Sequence, residues 1–290
     1  METRWLYTTS ENFNNLRDES NLTCVIPMGC VEKHGLHLPL GTDIIHSSHI
    51  AYLASQLETV TVFPDFTFGD VSGTDFNQPA GTIALPLETI MLLLEQLCDS
   101  IARWGYKKIL VFNGHGGNKA WLKAFARNIN NKNKDYIFAI AHIDLPVPHK
   151  MAEFILEKGS GSIPELTKED EELLLKYHAQ NMELGHACMS ETAYIQGIAP
   201  ESVKMDRLGI ESGANRGLTS YLREAGIELR DGGWDIDYPD AYCGDDPIGC
   251  NERIGRAAVR LESQRLANTF KVYKEDENII KWNEAMKRKK

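Results

Sequence analysis

The densest group of residues that could do chemistry lies between positions 32 and 43. Glu32 and His34 follow a short apolar run, and on an extended backbone these alternate residues point to one side. Asp43 stands at the start of the next helical pattern and can turn back toward the same point. Two carboxylates and an imidazole that converge form a site for a divalent metal ion. A polar loop in which Asp43 only caps a helix is the alternative, and the spacing leaves both open.

Two further clusters could complete such a site. The stretch 113–118 (Asn-Gly-His-Gly-Gly-Asn) follows another apolar run, and its glycines allow a sharp turn that would place His115 beyond that run. A glycine-rich loop there could instead hold phosphate, but it has neither the Lys-Ser/Thr of a P-loop nor the order G-x-G-x-x-G. The stretch 186–192 offers a further imidazole and carboxylate, His186 and Glu191. Taken alone, this third cluster favours a structural role.

Such clusters need elements that bring them together, and the hydrophobic pattern indicates alternating strands and helices. Strands are predicted over 22–27, 59–68, 82–85, 108–112 and 136–141. Helices are predicted over 42–58, from Pro86 to the Gly105 stop, from 118, over 169–184 and from about 251. This alternation predicts a mostly parallel sheet with helices on both faces. Active sites in such sheets lie beyond the carboxyl ends of the strands, where the three clusters fall.

Composition and charge exclude several classes of protein. The 290 residues carry 31 Lys plus Arg against 41 Asp plus Glu, a formal charge of −10, which argues against a nucleic-acid partner. No stretch reaches the ~18–20 apolar residues of a membrane-spanning helix, and no signal peptide is visible. The six cysteines contain no C-x-x-C pair, so free thiols and a cytoplasmic location are expected.

Several segments fit the pattern less well. We interpret 144–166 as an excursion from the core of a single domain spanning 1–290, either a lid or a subunit contact. The Gly-, Asp- and Tyr-rich stretch 226–249 is predicted to be an irregular loop with short strands; its acidic residues lack the order of a calcium-binding EF-hand. His46 and His49 have ligand-like i,i+3 spacing, but a buried helix face or exposure to solvent is favoured.

The ordered set of motifs resembles the creatininase family of metal-dependent hydrolases. The family pattern E-x-H-G-x-H-L-P followed by T-D is matched within 32–43, and its N-G-H-G-G-N stands intact at 113–118. Its H-A-G-x-x-E-T is present in altered form at 186–192, where Cys188 replaces the usual glycine. Weaker similarities occur at 79–82 and 244–247. The resemblance extends over about residues 22–260.

The resemblance implies a three-layer α/β/α fold that holds two divalent ions per chain, with zinc expected first and manganese or iron as alternatives. In the implied arrangement Asp43 bridges the ions, Glu32 and His115 bind one, and His34 and Glu191 bind the other. His186 is then the proton-handling residue beside the ions, and it forms the implied catalytic pair with Glu191. Family resemblance also implies a closed homo-oligomer, expected to be a hexamer.

The expected reaction is hydrolysis of a non-peptide C–N bond in a small cyclic amide or formamide by a metal-activated hydroxide. Two ions about 3.5–4 Å apart lower the pKa of a shared water toward ~7 and polarise a carbonyl, and an imidazole can protonate the leaving nitrogen. Cys30, Lys33, Cys188 and Met189 depart from the frequent family residues, so creatinine is not assumed as substrate. The alternatives are a peptidase or a ribosyl-pyrimidine formamide hydrolase of the same family, or a non-catalytic metal-binding relative.

Overall fold

A parallel β-sheet forms the centre of the protein. The computed structural model describes residues 1–71, 80–144, 146–229 and 233–287. Within these ranges four strands pair in the order β2-β1-β3-β4, all parallel. They are β1 (Thr23–Met28), β2 (Thr61–Val62), β3 (Lys108–Asn113) and β4 (Ile137–His142). The central strands β1 and β3 pair along their whole length, so their carboxyl ends meet at one edge of the sheet.

Helices surround this sheet. In chain order they are α1 (Phe13–Glu19), α2 (Thr42–Leu57), α3 (Leu87–Arg103), α4 (Asn118–Asn130), α5 (His149–Lys158), α6 (Lys168–Ala179), α7 (Met189–Ile198), α8 (Ser220–Glu224), α9 (Trp234–Asp237), α10 (Glu252–Glu275) and α11 (Asn278–Lys287). Short 3₁₀ turns occur at Trp5–Tyr7, Pro200–Ser202 and Met205–Arg207. Across the ranges described, no helix has both the length and the apolar composition needed to cross a bilayer.

The alternation of side chains along the strands builds two cores. Val25 of β1 packs with apolar residues of α2, α5, α6, α7 and α10 on one face. Its neighbours Cys24 and Ile26 pack with α3 and α4 on the other face. Successive strand residues point to opposite faces, so a strand buried on both sides is a continuous apolar run. The parallel sheet with helices on both faces is therefore confirmed.

Two helices near the sheet edge are held very close to each other. The Asn251 side chain caps α10 by accepting from the backbone N–H groups of Arg253 and Ile254. Where α10 crosses α7, Gly197 faces Gly255, and a Cβ built on Gly197 would meet the Gly255 backbone without room for it. Glycine at both positions lets the two backbones touch. This contact fixes α7, which carries Glu191 in its first turn.

Three predicted strand regions differ from the structure. The stretch 59–68 contains only the two-residue β2 and an isolated bridge from Met28 to Phe66. Pro27 of β1 faces this stretch, because its carbonyl accepts from the Phe66 N–H, but it has no N–H to donate back and extend the ladder. The stretch 82–85 is not a strand; Ile83 makes one backbone bond to the Val31 carbonyl, 2.9 Å long. In 226–249 the described residues contain helix α9 and no strand. Short apolar runs do not reveal whether a partner strand is available.

The segment 144–166 contains helix α5. Its side chains Met151, Ile155 and Ile163 are buried in the core on the α2 side of the sheet. The described residues of this segment therefore pack against the domain. The following helix α6 ends at Ala179, before the predicted 184, and Asn181 turns the chain with a positive φ of 53°.

Candidate metal centre

The three polar clusters meet beyond the carboxyl ends of β1 and β3. Glu32 and His34 lie on the loop after β1, and Asp43 lies in the first turn of α2. His115 follows β3 by two residues. These four side chains are all buried, with at most 8% of their surface exposed. The third cluster, before and at the start of α7, brings His186 and Glu191 to the same place.

One group of side chains forms around His115. Its Nδ1 lies 2.8 Å from Asp43 Oδ2 and 3.0 Å from Glu32 Oε1. Cys30 approaches from the end of β1, and its Sγ donates to Asp43 Oδ2 over 3.1 Å. The ligand atoms of these four residues all lie within 4.8 Å of one another. One nitrogen, carboxylate oxygens and a sulfur are a donor set that fits zinc.

A second group forms around His34 on the other side of Asp43. His34 Nε2 lies 3.2 Å from Asp43 Oδ1 and 3.7 Å from Glu191 Oε2. The other oxygen of Asp43 belongs to the His115 group, so this one carboxylate faces both imidazoles. Glu191 is itself held by the Ala187 N–H, which donates to its Oε2 over 2.5 Å. The geometry therefore makes Asp43 the residue common to both groups.

His186 lies over His34. The two rings stack with centroids 4.0 Å apart and an interplanar angle of 28°. His186 Nδ1 is 3.8 Å from Glu32 Oε1, and the His186 ring also makes a T-shaped contact with Trp234, with the ring centroids 5.4 Å apart. His186 is partly exposed, whereas His34 beneath it is fully buried. It is therefore placed between the buried carboxylates and the outside.

All three imidazoles are oriented by backbone carbonyls. His115 Nε2 bonds the Asp70 carbonyl (2.8 Å), His34 Nδ1 the Glu32 carbonyl (3.2 Å), and His186 Nε2 the Lys33 carbonyl (2.7 Å). A carbonyl only accepts, so that ring nitrogen must carry the proton. The opposite nitrogen of each ring then faces the carboxylates and, in the neutral ring, offers a lone pair there. Imidazoles that bind metals are oriented in this way.

The charges of the cluster shift the pKa values of its members. Burial alone would lower the pKa of His34, but the neighbouring carboxylates Asp43 and Glu191 raise it to about 10. Burial likewise opposes the charge on His115, and Glu32, Cys30 and Asp43 raise its pKa well above the ordinary value. Burial would raise the pKa of Asp43, but the charges of His34 and His115 hold it well below its usual range. The buried carboxylates thus strongly favour positive charge beside them, which the protonated imidazoles supply when no metal ion is bound.

Some residues that shape the site have no signal in the sequence. Cys30 precedes the first motif by two residues and was not among the predicted ligands, although a cysteine so close to Glu32 could have been tested as one. The Asp70 carbonyl comes from a distant loop, and Asn118 holds that loop by accepting from the Asp70 N–H. His142 lies apart from the clusters and contacts Asn113. Of the acidic loop residues, Asp237 is buried against Thr219 and Arg223.

The fold and the site together define a class. The sheet is parallel with helices on both faces, and imidazoles and carboxylates converge beyond the carboxyl ends of its strands. This is where α/β proteins place their ligand sites, and these side chains are ligands of divalent metals. The family model described as creatinine amidohydrolase matches residues 7–270. The chain therefore belongs to the creatininase family, as the motifs indicated. The family model carries the description of an amidohydrolase, an enzyme that hydrolyses a carbon–nitrogen bond.

Two curated proteins resemble parts of this sequence. In sequence, the chain is 36% identical over 104 residues to the mycofactocin precursor peptide peptidase of Mycobacterium tuberculosis, a match covering 32% of this chain and 40% of that protein. It is 34% identical over 117 residues to the 2-amino-5-formylamino-6-ribosylaminopyrimidin-4(3H)-one 5'-monophosphate deformylase of Methanococcus voltae, covering 39% and 43%. Both matches thus span less than half of the relative.

Solved structures show the same fold over nearly the whole chain. A creatinine amidohydrolase superposes with a TM-score of 0.69 at 14% identity, covering 95% of this chain and 99% of that one. A mutant creatininase described as the Zn-Zn type and a manganese creatininase also give TM-scores of 0.69 at 14% identity, each covering 95% of this chain and 100% of its own. At this identity the likeness establishes the fold.

Proposed function

We propose that the protein is a dinuclear metal-dependent amidohydrolase. The observation that carries the proposal is the orientation of the imidazoles around Asp43. Each ring of His34 and His115 bonds a carbonyl through one nitrogen and turns the other toward a different oxygen of Asp43. Two neighbouring sites that share one carboxylate are the geometry that a pair of divalent ions requires.

The ligand assignment follows from the two groups. Glu32, His115 and Asp43 Oδ2 would bind one ion; His34, Glu191 and Asp43 Oδ1 would bind the other. Zinc is the first candidate because imidazole and carboxylate ligands suit it and Cys30 adds a soft donor nearby. Manganese or iron are the alternatives, and relatives of this fold are described in both Zn-Zn and Mn forms. When bound, such ions polarise a carbonyl and activate water.

His186 is the proposed proton carrier. Its Nε2 proton is committed to the Lys33 carbonyl, so the proton that it can transfer is carried on Nδ1. That atom faces Glu32 and lies at the partly exposed side of the cluster, where a substrate enters. An amide nitrogen must be protonated to leave, and a positioned imidazole is a common general acid for that step. Glu191 is the second member of the proposed catalytic pair, since its Oε2 is fixed toward His34 by the Ala187 N–H.

The substrate that we propose is a small cyclic amide or a formamide. Trp234 packs against His186 and forms an aromatic wall at the partly exposed side of the cluster, which suits a small planar amide. The deformylase relative acts on a formylamino group, which supports a formamide.

A peptide is the second candidate. The relative with 36% identity over 104 residues is a peptide peptidase, and a peptide bond can be cleaved by the same carbonyl chemistry. A substrate panel of creatinine, formamides, lactams and short peptides separates the two candidates. A chain that binds metal with the proposed stoichiometry but turns over none of these would instead be a non-catalytic relative.

The decisive experiment combines metal content with activity. Asp43→Ala and Glu32→Ala should lose bound metal and turnover together, because each removes a carboxylate that faces His115. Asp18→Ala is the matched control, since Asp18 is an exposed surface carboxylate paired with Arg17. Hydrolysis by thoroughly metal-free protein at the rate of the metal-loaded protein would refute the proposal.

We also propose a closed homo-oligomer, with a hexamer as the expected state. Supporting this, the segment around α8 exposes several large apolar side chains, namely Ile210, Leu218, Tyr221 and Ile227, each at least 48% exposed. Large apolar side chains that stay exposed along one stretch of the chain are candidates for burial at a subunit interface. Light scattering coupled to size-exclusion chromatography gives the mass, and a monomer at micromolar concentration would refute this assembly.

A further inference from the structure

A buried histidine beside the candidate metal centre makes no hydrogen bond to any residue that the structure describes. His46 lies one helical turn after Asp43 in α2, and its side chain is fully buried. Among the described residues, neither of its ring nitrogens has a hydrogen-bond partner. Leaving a buried polar group unpaired costs about 1–3 kcal/mol. An apolar residue of similar size would avoid this cost, so the imidazole requires an explanation.

The surroundings of His46 point to Asp43. Its Nε2 lies 3.8 Å from Asp43 Oδ1, the oxygen that also faces His34 at 3.2 Å. The ring is pressed against Gly114, where an added Cβ would lie 2.5 Å from His46 Cε1. Tyr194 flanks the ring at 5.5 Å between centroids. The imidazole is thus confined with its Nε2 directed at the carboxylate that both metal groups share.

From this geometry we infer that His46 is a positioning residue for Asp43. Its Nε2–H donates to Asp43 Oδ1 when the carboxylate binds metal. This hydrogen bond fixes the plane of the carboxylate, so that Oδ1 stays with the His34 group and Oδ2 stays with the His115 group. His46 lies outside the residue groups that could hold an ion, so it acts through Asp43. Groups that support a metal ligand in this way typically contribute 10- to 100-fold in metal affinity.

The test is zinc affinity, measured by competition with a chelating dye. The inference rests on the proposed metal centre, and wild-type protein tests that centre first. His46→Leu should bind zinc about 10- to 100-fold more weakly. His46→Gln should restore affinity, because its amide nitrogen can occupy the position of Nε2. His46→Asn should not, because its amide nitrogen corresponds to Nδ1 and falls short of Asp43.

A matched control and a second measurement exclude a merely structural role. His49→Leu makes the same change one turn further along α2, where the side chain lines an outer cleft with Arg4 and Asp65, and it should leave zinc affinity unchanged. Unfolding of the metal-free protein should show His46→Leu to be at least as stable as wild type, because it removes an unpaired imidazole. The opposite result, a less stable metal-free protein with wild-type zinc affinity, would overturn the inference.

The outcomes for the two proposals remain separate. If wild-type protein binds no zinc, the metal centre itself is wrong. If wild type binds zinc and His46→Leu binds it equally tightly, only the role of His46 is wrong. If His46→Leu does not fold, the comparison of His46→Gln with His46→Asn decides, because equal zinc affinity of these two polar variants contradicts donation from Nε2.

Discussion

The contact between β1 and α2 should be one of the most sensitive points of the metal centre. Gly29 follows β1 directly, and a Cβ built on it would lie 2.5 Å from Ile44 N and 2.6 Å from Asp43 C. Ordinary contacts of a Cβ begin at 3.4 Å, so Gly29→Ala must push the start of α2 outward by about 1 Å. The first turn of α2 carries Asp43, which moves with it.

The expected effect of this shift is large for the site and moderate for the fold. Metal–ligand distances are held within about 0.2 Å, so a displacement of about 1 Å should weaken zinc binding by at least about 100-fold. Overpacking of this kind costs about 1–3 kcal/mol of stability. Gly29 shows no positive φ, so strain of the new side chain's own backbone does not confound the result.

Zinc competition and denaturant unfolding of the metal-free protein measure the two effects. Gly116→Ala is the matched control at the same edge of the sheet, because in the part of the chain that the structure describes no heavy atom beyond its chain neighbours lies within 4 Å of a Cβ at Gly116. This control should keep both zinc affinity and stability near those of wild type. Equal zinc affinity of Gly29→Ala and Gly116→Ala would show that the approach of α2 to β1 does not set the position of Asp43, and the reasoning would fail.

Three further predictions concern neighbouring groups. Cys30→Ser should keep zinc affinity because its hydroxyl can still donate to Asp43, whereas Cys30→Ala should lose about tenfold; serine and alanine variants that bind equally weakly would instead identify the sulfur as a ligand. Burial disfavours the charge of His34, but the carboxylates of Asp43 and Glu191 raise its pKa to about 10, so the imidazole of His34 is protonated on both nitrogens at pH 7 in the metal-free protein. Zinc binding should then release that proton, and affinity should rise with pH up to that pKa; calorimetry in buffers of different ionisation enthalpy that detects no release would contradict this. Asp170→Asn should cost about 1–3 kcal/mol at neutral pH by weakening the ion pair with Arg253 and the cap of α6. Burial opposes the charge of Asp170, but the Arg253 guanidinium holds the pKa of Asp170 below the ordinary value. The stability that the Asp170 carboxylate contributes is therefore present above about pH 4 and is lost as pH falls. Denaturant titrations should show a smaller difference in stability between wild type and Asp170→Asn at pH 3 than at pH 7.

Local patterns determined the main elements of the fold. The continuous apolar run of β3 and the helical spacing of α3 are visible in the sequence, because each depends on residues close together in the chain. The prediction of a strand over 82–85 was wrong because strand formation also depends on residues far away in the chain. A strand exists only where another strand pairs with it, and nothing within four residues shows whether that partner is present.

The composition of the site was likewise contained in the sequence, while its arrangement was not. Motif order brought Glu32, His34, Asp43, His115 and Glu191 forward as candidates, and the structure places all of them together. Only the tertiary structure decided that Asp43 faces two imidazoles with different oxygens and that His46 lies beside it with no hydrogen-bond partner among the described residues. The carbonyls that orient His115 and His186 come from Asp70 and Lys33, which are distant in the chain. Which ring nitrogen faces the carboxylates depends on these long-range bonds, so the types of ligand can be read from the chain but their orientation exists only once it has folded.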